Sequence, residues 1–173
     1  LHALCAAGYC SHDDAFETFP LSAEQQAVFA DEESKASMIG AADILVGNVH
    51  GIEAITEAFK TGEGVDYGDF HQCVFQGTAR FFKPSYKSNL LEKWMPKIPA
   101  ATEKLENGGR LCDVGCGKGL STLLMAEHYP NASFVGIDIH APSIDEANEE
   151  AHLAGLSDRL CYDAADAESY GGE

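Results

Sequence analysis

Basic residues are scarce in this chain. Eleven Lys and Arg stand against 28 Asp and Glu in 173 residues, a formal net charge of −17 with histidine neutral. Nucleic-acid binding rests on Lys and Arg neutralising phosphates, so a nucleic-acid partner is not expected. The deficit is uneven. Residues 1–66 hold twelve acids against Lys35 and Lys60, residues 67–133 hold six acids and eight bases, and residues 134–173 hold ten acids against Arg159. Such acidity serves solubility. Long apolar runs are missing too. No stretch nears the roughly 18 residues that cross a bilayer, so no membrane partner is expected and the expected location is cytoplasmic. The six cysteines contain no C-x-x-C pair. Cys112 and Cys116 flank a glycine run whose geometry a disulfide would distort, and their spacing does not suit a structural zinc. All six are expected as reduced thiols, with no metal.

What is present is enough for a folded domain: 45% of residues are apolar, and one ordinary core is feasible at this length. Four stretches stand out. Leu1–Ala7 reads as the end of a helix stopped by Gly8, followed by a hairpin of Tyr9–His12 and Phe16–Leu21 around Asp13-Asp14. Ser22 with Gln25 three residues on is a capping-box start for a helix. A second helical run goes from about Ser37 to Phe59, with Gly40, Gly47 and Gly51 allowing close packing or a break. The third stretch is aromatic and basic, with a helix expected from Ser85 to Trp94 and a short one ending at Glu106. From Leu111 onward, strands (Leu111–Val114, Ser133–Ile137, Leu160–Tyr162) alternate with helices (Gly119–His128, Pro142–Ala154). Alternation with short loops predicts an α/β fold, a parallel sheet with right-handed crossovers. The expected units are residues 1–64, 65–107 and 108–173.

The most informative run is Asp113-Val114-Gly115-Cys116-Gly117-Lys118-Gly119, at the junction of a strand and a helix. A glycine turn there lets backbone approach a nucleotide-like cofactor. A dinucleotide fingerprint, G-x-G-x-x-G, would need its third glycine at Leu120, whereas this chain has Gly119. The preceding Asp113 suits a ligand with an ammonium group and repels a pyrophosphate. Two further acids stand at successive strand ends: Asp138, 19 residues after Gly119, and Asp166 beyond the third strand. The D-x-G-x-G-x-G pattern resembles the first motif of class I S-adenosylmethionine-dependent methyltransferases.

That resemblance implies a Rossmann-like half-sheet in the order 3-2-1 and S-adenosylmethionine as cofactor. It implies that Gly115, Cys116, Gly117 and Gly119 pass under the methionine part, with Asp113 offsetting the ammonium group. Asp138 would take the ribose, Ile139 and His140 the adenine face, and Asp166 with the Ala167 backbone the adenine edge. Farther afield, Phe59–Val65, Gly77–Phe82, Tyr86, Asn89-Leu90 and Trp94–Pro96 look like a bacterial-type subfamily in which a winged-helix and helical region precedes the catalytic domain. There it serves dimerisation and covers a small-molecule substrate, so a homodimer is expected of the full-length protein. Tyr67, Phe70, His71, Phe81 and Phe82 are candidates for the substrate wall, and His71 for a base that takes a proton from a hydroxyl. No other catalytic residue is assigned. Since the family's sheet is larger, the chain is expected to be a fragment with one bare strand edge, inactive alone. The resulting expectation is methyl transfer to a small-molecule nucleophile, oxygen slightly favoured. The alternatives are a winged-helix regulator sensing the same cofactor and a nicotinamide-dependent oxidoreductase.

Overall fold

The computed structural model describes residues 1–168, 170 and 171. Helix α1 (His2–Ala6) stops at Gly8, whose φ of +82° is the left-handed conformation that ends helices. The expected hairpin reduces to one antiparallel bridge between Asp13 and Thr18. Asp13 Oδ1 accepts the Ala15 N–H at 2.9 Å, a local bond that competes with ladder formation. Helix α2 (Ala23–Phe29) opens on a complete capping box: Ser22 Oγ accepts from the Gln25 N–H at 3.2 Å, and Gln25 Oε1 from the Ser22 N–H at 2.9 Å.

The long run expected from Ser37 divides at Gly51 into α3 (Ile39–His50) and α4 (Ile52–Thr61), the latter closed by Gly62 at φ +80°. Helix α5 (Gln72–Asn89) begins well before the expected Ser85, because the chain carries Pro84 inside a continuing helix. Proline usually marks a boundary, so this helix was not legible from its breaker. A π-helical turn (Leu90–Trp94), a 3-10 turn (Met95–Lys97) and α6 (Pro99–Glu106) follow. Helices α3 and α5 meet backbone to backbone. A Cβ on Gly40 would collide with the main chain of Gly77 and Phe81, and one on Gly77 with that of Gly40 and Ile44. The two helices therefore pack across the boundary expected at residue 64.

Three parallel strands complete the fold: β1 (Arg110–Val114), β2 (Ser133–Asp138) and β3 (Leu160–Ala164), with β2 in the middle. The crossovers are α7 (Leu120–His128) and α8 (Ala141–Leu153). Pairing runs from Arg110 opposite Ser133 to Val114 opposite Ile137, and from Phe134 opposite Leu160 to Asp138 opposite Ala164. The carboxyl ends of all three strands therefore finish level. The main core lies between sheet and helices, where Phe134, Tyr162, Met125, Ile144 and Leu160 pack with Leu90, Met95 and Leu105. Leu90 and Met95 bring the segment after α5 into that core. Beyond β3, Asn148 of α8 bonds both main-chain groups of Tyr162, at 2.8 and 3.0 Å. Among the described residues no strand pairs with the other edge, at β1.

Candidate functional site

The glycine loop leaves β1 at Val114 and is tied at once to β2: the Gly115 and Cys116 N–H groups both donate to the Ile137 carbonyl, at 2.8 and 3.0 Å. Gly115, Gly117 and Gly119 have φ values of +74°, +55° and +72°, which a side chain would strain. The three glycines face different surroundings. A Cβ on Gly115 or Gly117 would meet no protein atom within 4 Å, whereas one on Gly119 would strike the ring of Tyr162. The same ring lies against Gly136, and the Tyr162 hydroxyl donates to the Gly119 carbonyl at 2.7 Å. The third glycine thus admits a tyrosine from β3 beneath the loop. The first two leave open space on its outer side.

Two of the three acids organise this turn. Asp138, buried at the end of β2, accepts the Gly117 N–H on Oδ2 at 2.8 Å and the His140 N–H on Oδ1 at 2.9 Å. A carboxylate has about four acceptor positions, so acceptor capacity remains on both oxygens. Asp113 is engaged on the other side of the loop: its Oδ2 accepts from Ser121 Oγ at 2.9 Å and Thr122 Oγ1 at 2.6 Å, which ties the end of β1 to the first turn of α7. A carboxylate at a helix N-terminus also meets the positive end of the helix dipole. Asp113 does not line the clefts described next.

Two clefts adjoin over the strand ends, sharing Tyr67, Gly115 and Asp138. One, about 400 Å³, lies over Val114, Ile137 and Ile139 and reaches Ala165, Asp166 and Ala167. The other, about 180 Å³, lies between Cys116–Ser121 on one side and Phe75, Thr78, Phe82 and Tyr86 on the other, with His140 and Ser143 at its end. Of the residues singled out in the sequence, Gly115, Cys116, Gly117, Gly119, Asp138, Ile139, His140, Asp166, Ala167, Tyr67 and Phe82 line one or both clefts. Phe70, His71 and Phe81 line neither. Phe70 lies beside Tyr67, with ring centres 6.3 Å apart. His71 caps α5, its Nδ1 accepting the Cys73 N–H at 3.3 Å, and stacks on His50 at 4.3 Å. Its ring is therefore occupied in building a helix start.

Phe75 and Thr78 were not legible as cleft residues, because the helix that carries them was expected to start only at Ser85; Tyr86 lies inside the expected helix, but nothing in the sequence placed it at a cleft. Phe75 stacks on His140, ring centres 3.7 Å apart and planes 11° apart, and so joins α5 to the turn after β2. His140 Nδ1 lies 2.8 Å from Ser143 Oγ. Burial raises the pKa of Tyr67 and of Tyr86, and the negative charge of Asp138 adds to the first and that of Asp113 to the second. Both phenols stay neutral near pH 7. Burial, helped by Asp113 and Asp138, pushes the Cys116 thiol up to about 12. A thiol so held is no nucleophile at neutral pH. Among the described residues no cluster of side chains could hold a metal ion, and no helix is long and apolar enough to cross a membrane.

Residues 105–171 match a family model described as a methyltransferase domain. Fifty-two residues are 42% identical to a tRNA (guanine-N(7)-)-methyltransferase of Acinetobacter baylyi, a match that takes in 30% of this chain and 21% of that protein. Similar enzymes from Edwardsiella ictaluri and Yersinia pestis match over 56 residues at 34% and 38% identity. The chain thus spans less than a quarter of the length of these curated relatives. Among solved structures, a putative O-methyltransferase from Nostoc punctiforme superposes with a TM-score of 0.62 at 23% identity, covering 99% of this chain and 50% of that one. An O-methyltransferase family protein from Burkholderia thailandensis gives 0.57 at 14% identity, covering 95% and 48%. Residues 105–171 thus resemble a methyltransferase domain in sequence, and the chain shares its α/β fold with these two solved structures.

Proposed function

We propose that this chain holds the cofactor-binding half of an S-adenosylmethionine-dependent methyltransferase acting on a small-molecule nucleophile. The observation that carries the reading is the open side of the loop. Gly115 and Gly117 adopt left-handed backbone, and the space a Cβ would take there is cleft. Backbone is kept bare where a ligand must come close. Around that bare stretch stand acceptors and apolar walls suited to an adenosyl group: Asp138 for ribose hydroxyls, Asp166 and the Ala167 backbone for the adenine edge, and Ile139 for the ring face. The Rossmann-like half-sheet, with ligand outside the carboxyl ends of parallel strands, supports the same placement.

The cofactor, when bound, supplies a methyl group on a sulfonium, which is already a good leaving group. The residues of this chain then need to position and to exclude water. Gly115, Cys116 and Gly117 form a backbone bed, braced by their bonds to Ile137 and Asp138. Phe75, Phe82, Tyr67 and Tyr86 form the opposite, aromatic wall. The carboxylates of Asp113 and Asp138 make the local field negative, which suits a cationic ligand. Oxygen is favoured as acceptor because two solved proteins that superpose on nearly the whole chain are named a putative O-methyltransferase and an O-methyltransferase family protein. The apolar groove between α1, α2 and α3, lined by Leu4, Tyr9, Phe29, Met38 and Leu45, supports a dimerisation or covering role for residues 1–64 in the full-length homodimer. The lone Asp13–Thr18 bridge after α1 stands where a winged helix would have its wing.

The curated relatives act on tRNA by name, and that reading is the one to separate. A net charge of −17 opposes it. Titration calorimetry with S-adenosylhomocysteine and, in parallel, NAD tests the cofactor, and a methyl-transfer assay on the full-length protein with phenolic and tRNA acceptors tests the substrate class. Binding of NAD in preference to S-adenosylhomocysteine would sink the proposal, and transfer to tRNA alone would sink its substrate half.

A further inference from the structure

Cys5 and Cys10 lie with their sulfur atoms 3.2 Å apart. The contact follows from the way α1 ends. Gly8 turns left-handed, its N–H donates to the Cys5 carbonyl at 3.0 Å, and the Tyr9 N–H donates to the Leu4 carbonyl at 2.9 Å. This double bond pattern folds the chain back over the last helical turn, and so returns Cys10 to the side chain five residues before it. The other thiols are not so placed. Cys112 and Cys161 sit on the outer strands, each paired with Val135 of the strand between, so two strand spacings of about 4.8 Å separate their backbones, beyond the reach of a disulfide.

We infer that Cys5 and Cys10 form a reversible disulfide when the protein meets a disulfide oxidant such as oxidised glutathione. Cys5 is partly exposed and Cys10 is buried, which assigns the roles. The Cys5 thiolate attacks one sulfur of the oxidant, its proton goes to solvent, and one glutathione leaves as thiolate. Cys10 then loses its proton, attacks the Cys5 sulfur of the mixed disulfide and expels the second glutathione. Two protein thiols are oxidised by two electrons, and one glutathione disulfide is reduced to two thiols. Burial and the contact with Cys10 raise the Cys5 pKa, so the first step quickens as the solution is made alkaline. The bridge would staple α1 to the loop bearing Tyr9, and both Tyr9 and Cys10 wall the apolar groove of residues 1–64.

The test is to incubate the chain with oxidised glutathione, quench in acid, unfold, alkylate with iodoacetamide and map the thiols by mass spectrometry. Cys5 and Cys10 should lose alkylation together, their shared peptide should be lighter by two hydrogens, and dithiothreitol should restore both. The exposed Cys112 reports that the oxidant is active. In Cys10→Ala, Cys5 should keep a stable glutathione adduct. In Cys5→Ala, the buried Cys10 should stay unmodified. A glutathione adduct that persists on Cys5 in the unsubstituted chain, or full alkylation of both thiols once Cys112 has reacted, would overturn the assignment.

Discussion

Asp138 concentrates the site's chemistry in one side chain. It is buried, it holds two backbone N–H groups from two segments, and it lines both clefts. Replacing it with Asn removes the charge and turns an amide toward one of those N–H donors. Charge-assisted bonds of this kind are worth about 1.5–3 kcal/mol each. Asp138→Asn should therefore weaken S-adenosylhomocysteine binding by roughly tenfold to a hundredfold in calorimetry. Unchanged affinity would remove Asp138 from the site. Cys116 offers a second check. Its thiol, held near 12, stays protonated where an ordinary cysteine is half thiolate. At pH 8.5 iodoacetamide should modify Cys116 at least about a hundredfold more slowly than the exposed Cys112, because only thiolate reacts. The glycine spacing, Asp138 and Asp166 were all visible in the sequence, because a turn that needs bare backbone restricts residue choice locally. Tyr162 was not. Nothing in a tyrosine on a third strand announces that it fills the space left by Gly119 and Gly136.

Helix α5 decides more of this structure than any strand. Its Gly77 lies in backbone contact with Gly40 of α3, its Phe75 stacks on His140, and its Tyr86 and Phe82 wall the smaller cleft. A methyl group at Gly40 has no flexible side chain to push aside, only main chain. Overpacking of that kind costs about 1–3 kcal/mol. Gly40→Ala should lower the melting temperature measurably, whereas Gly68→Ala, which faces open space without positive φ, should leave it nearly unchanged. Equal melting temperatures for the two variants would show that the helices are not in backbone contact. In the sheet half, Tyr162→Phe removes a buried hydroxyl bonded to the Gly119 carbonyl and should cost about 1 kcal/mol, read by urea titration. The strands and their crossovers were legible because short strand-like stretches alternate with helical ones, and glycine or proline marks several of the boundaries, as at Gly109, Gly115, Pro142 and Gly155. Helix α5 was misread at its start because Pro84, its most conspicuous residue, sits inside it.

At the scale of the molecule, charge and shape bear on partners. With a net charge of −17, the chain should show no retention of tRNA in a gel-shift at about 0.15 M salt, where phosphate contacts from Lys and Arg carry affinity. Retention that weakens steeply with added salt would overturn that expectation and favour the tRNA reading. The buried core lies almost wholly between residues 90 and 162, while residues 1–64 keep Leu45, Val49, Ile52 and Phe59 exposed. By itself the sequence determined the glycine loop, the order of strands and helices in residues 110–164, and the absence of any membrane-crossing run. Those features depend on short-range pattern: periodicity, breakers and bare backbone at a turn. Only the tertiary structure decided that Asp113 braces α7 away from the clefts, that His71 caps a helix outside them, and that Phe75 and Tyr86 form a wall opposite the glycines. Those outcomes depend on which surfaces pack: Gly40 and Gly77, far apart in the chain, let α5 lie against α3, and Phe75 of the same helix stacks on His140 beside the loop.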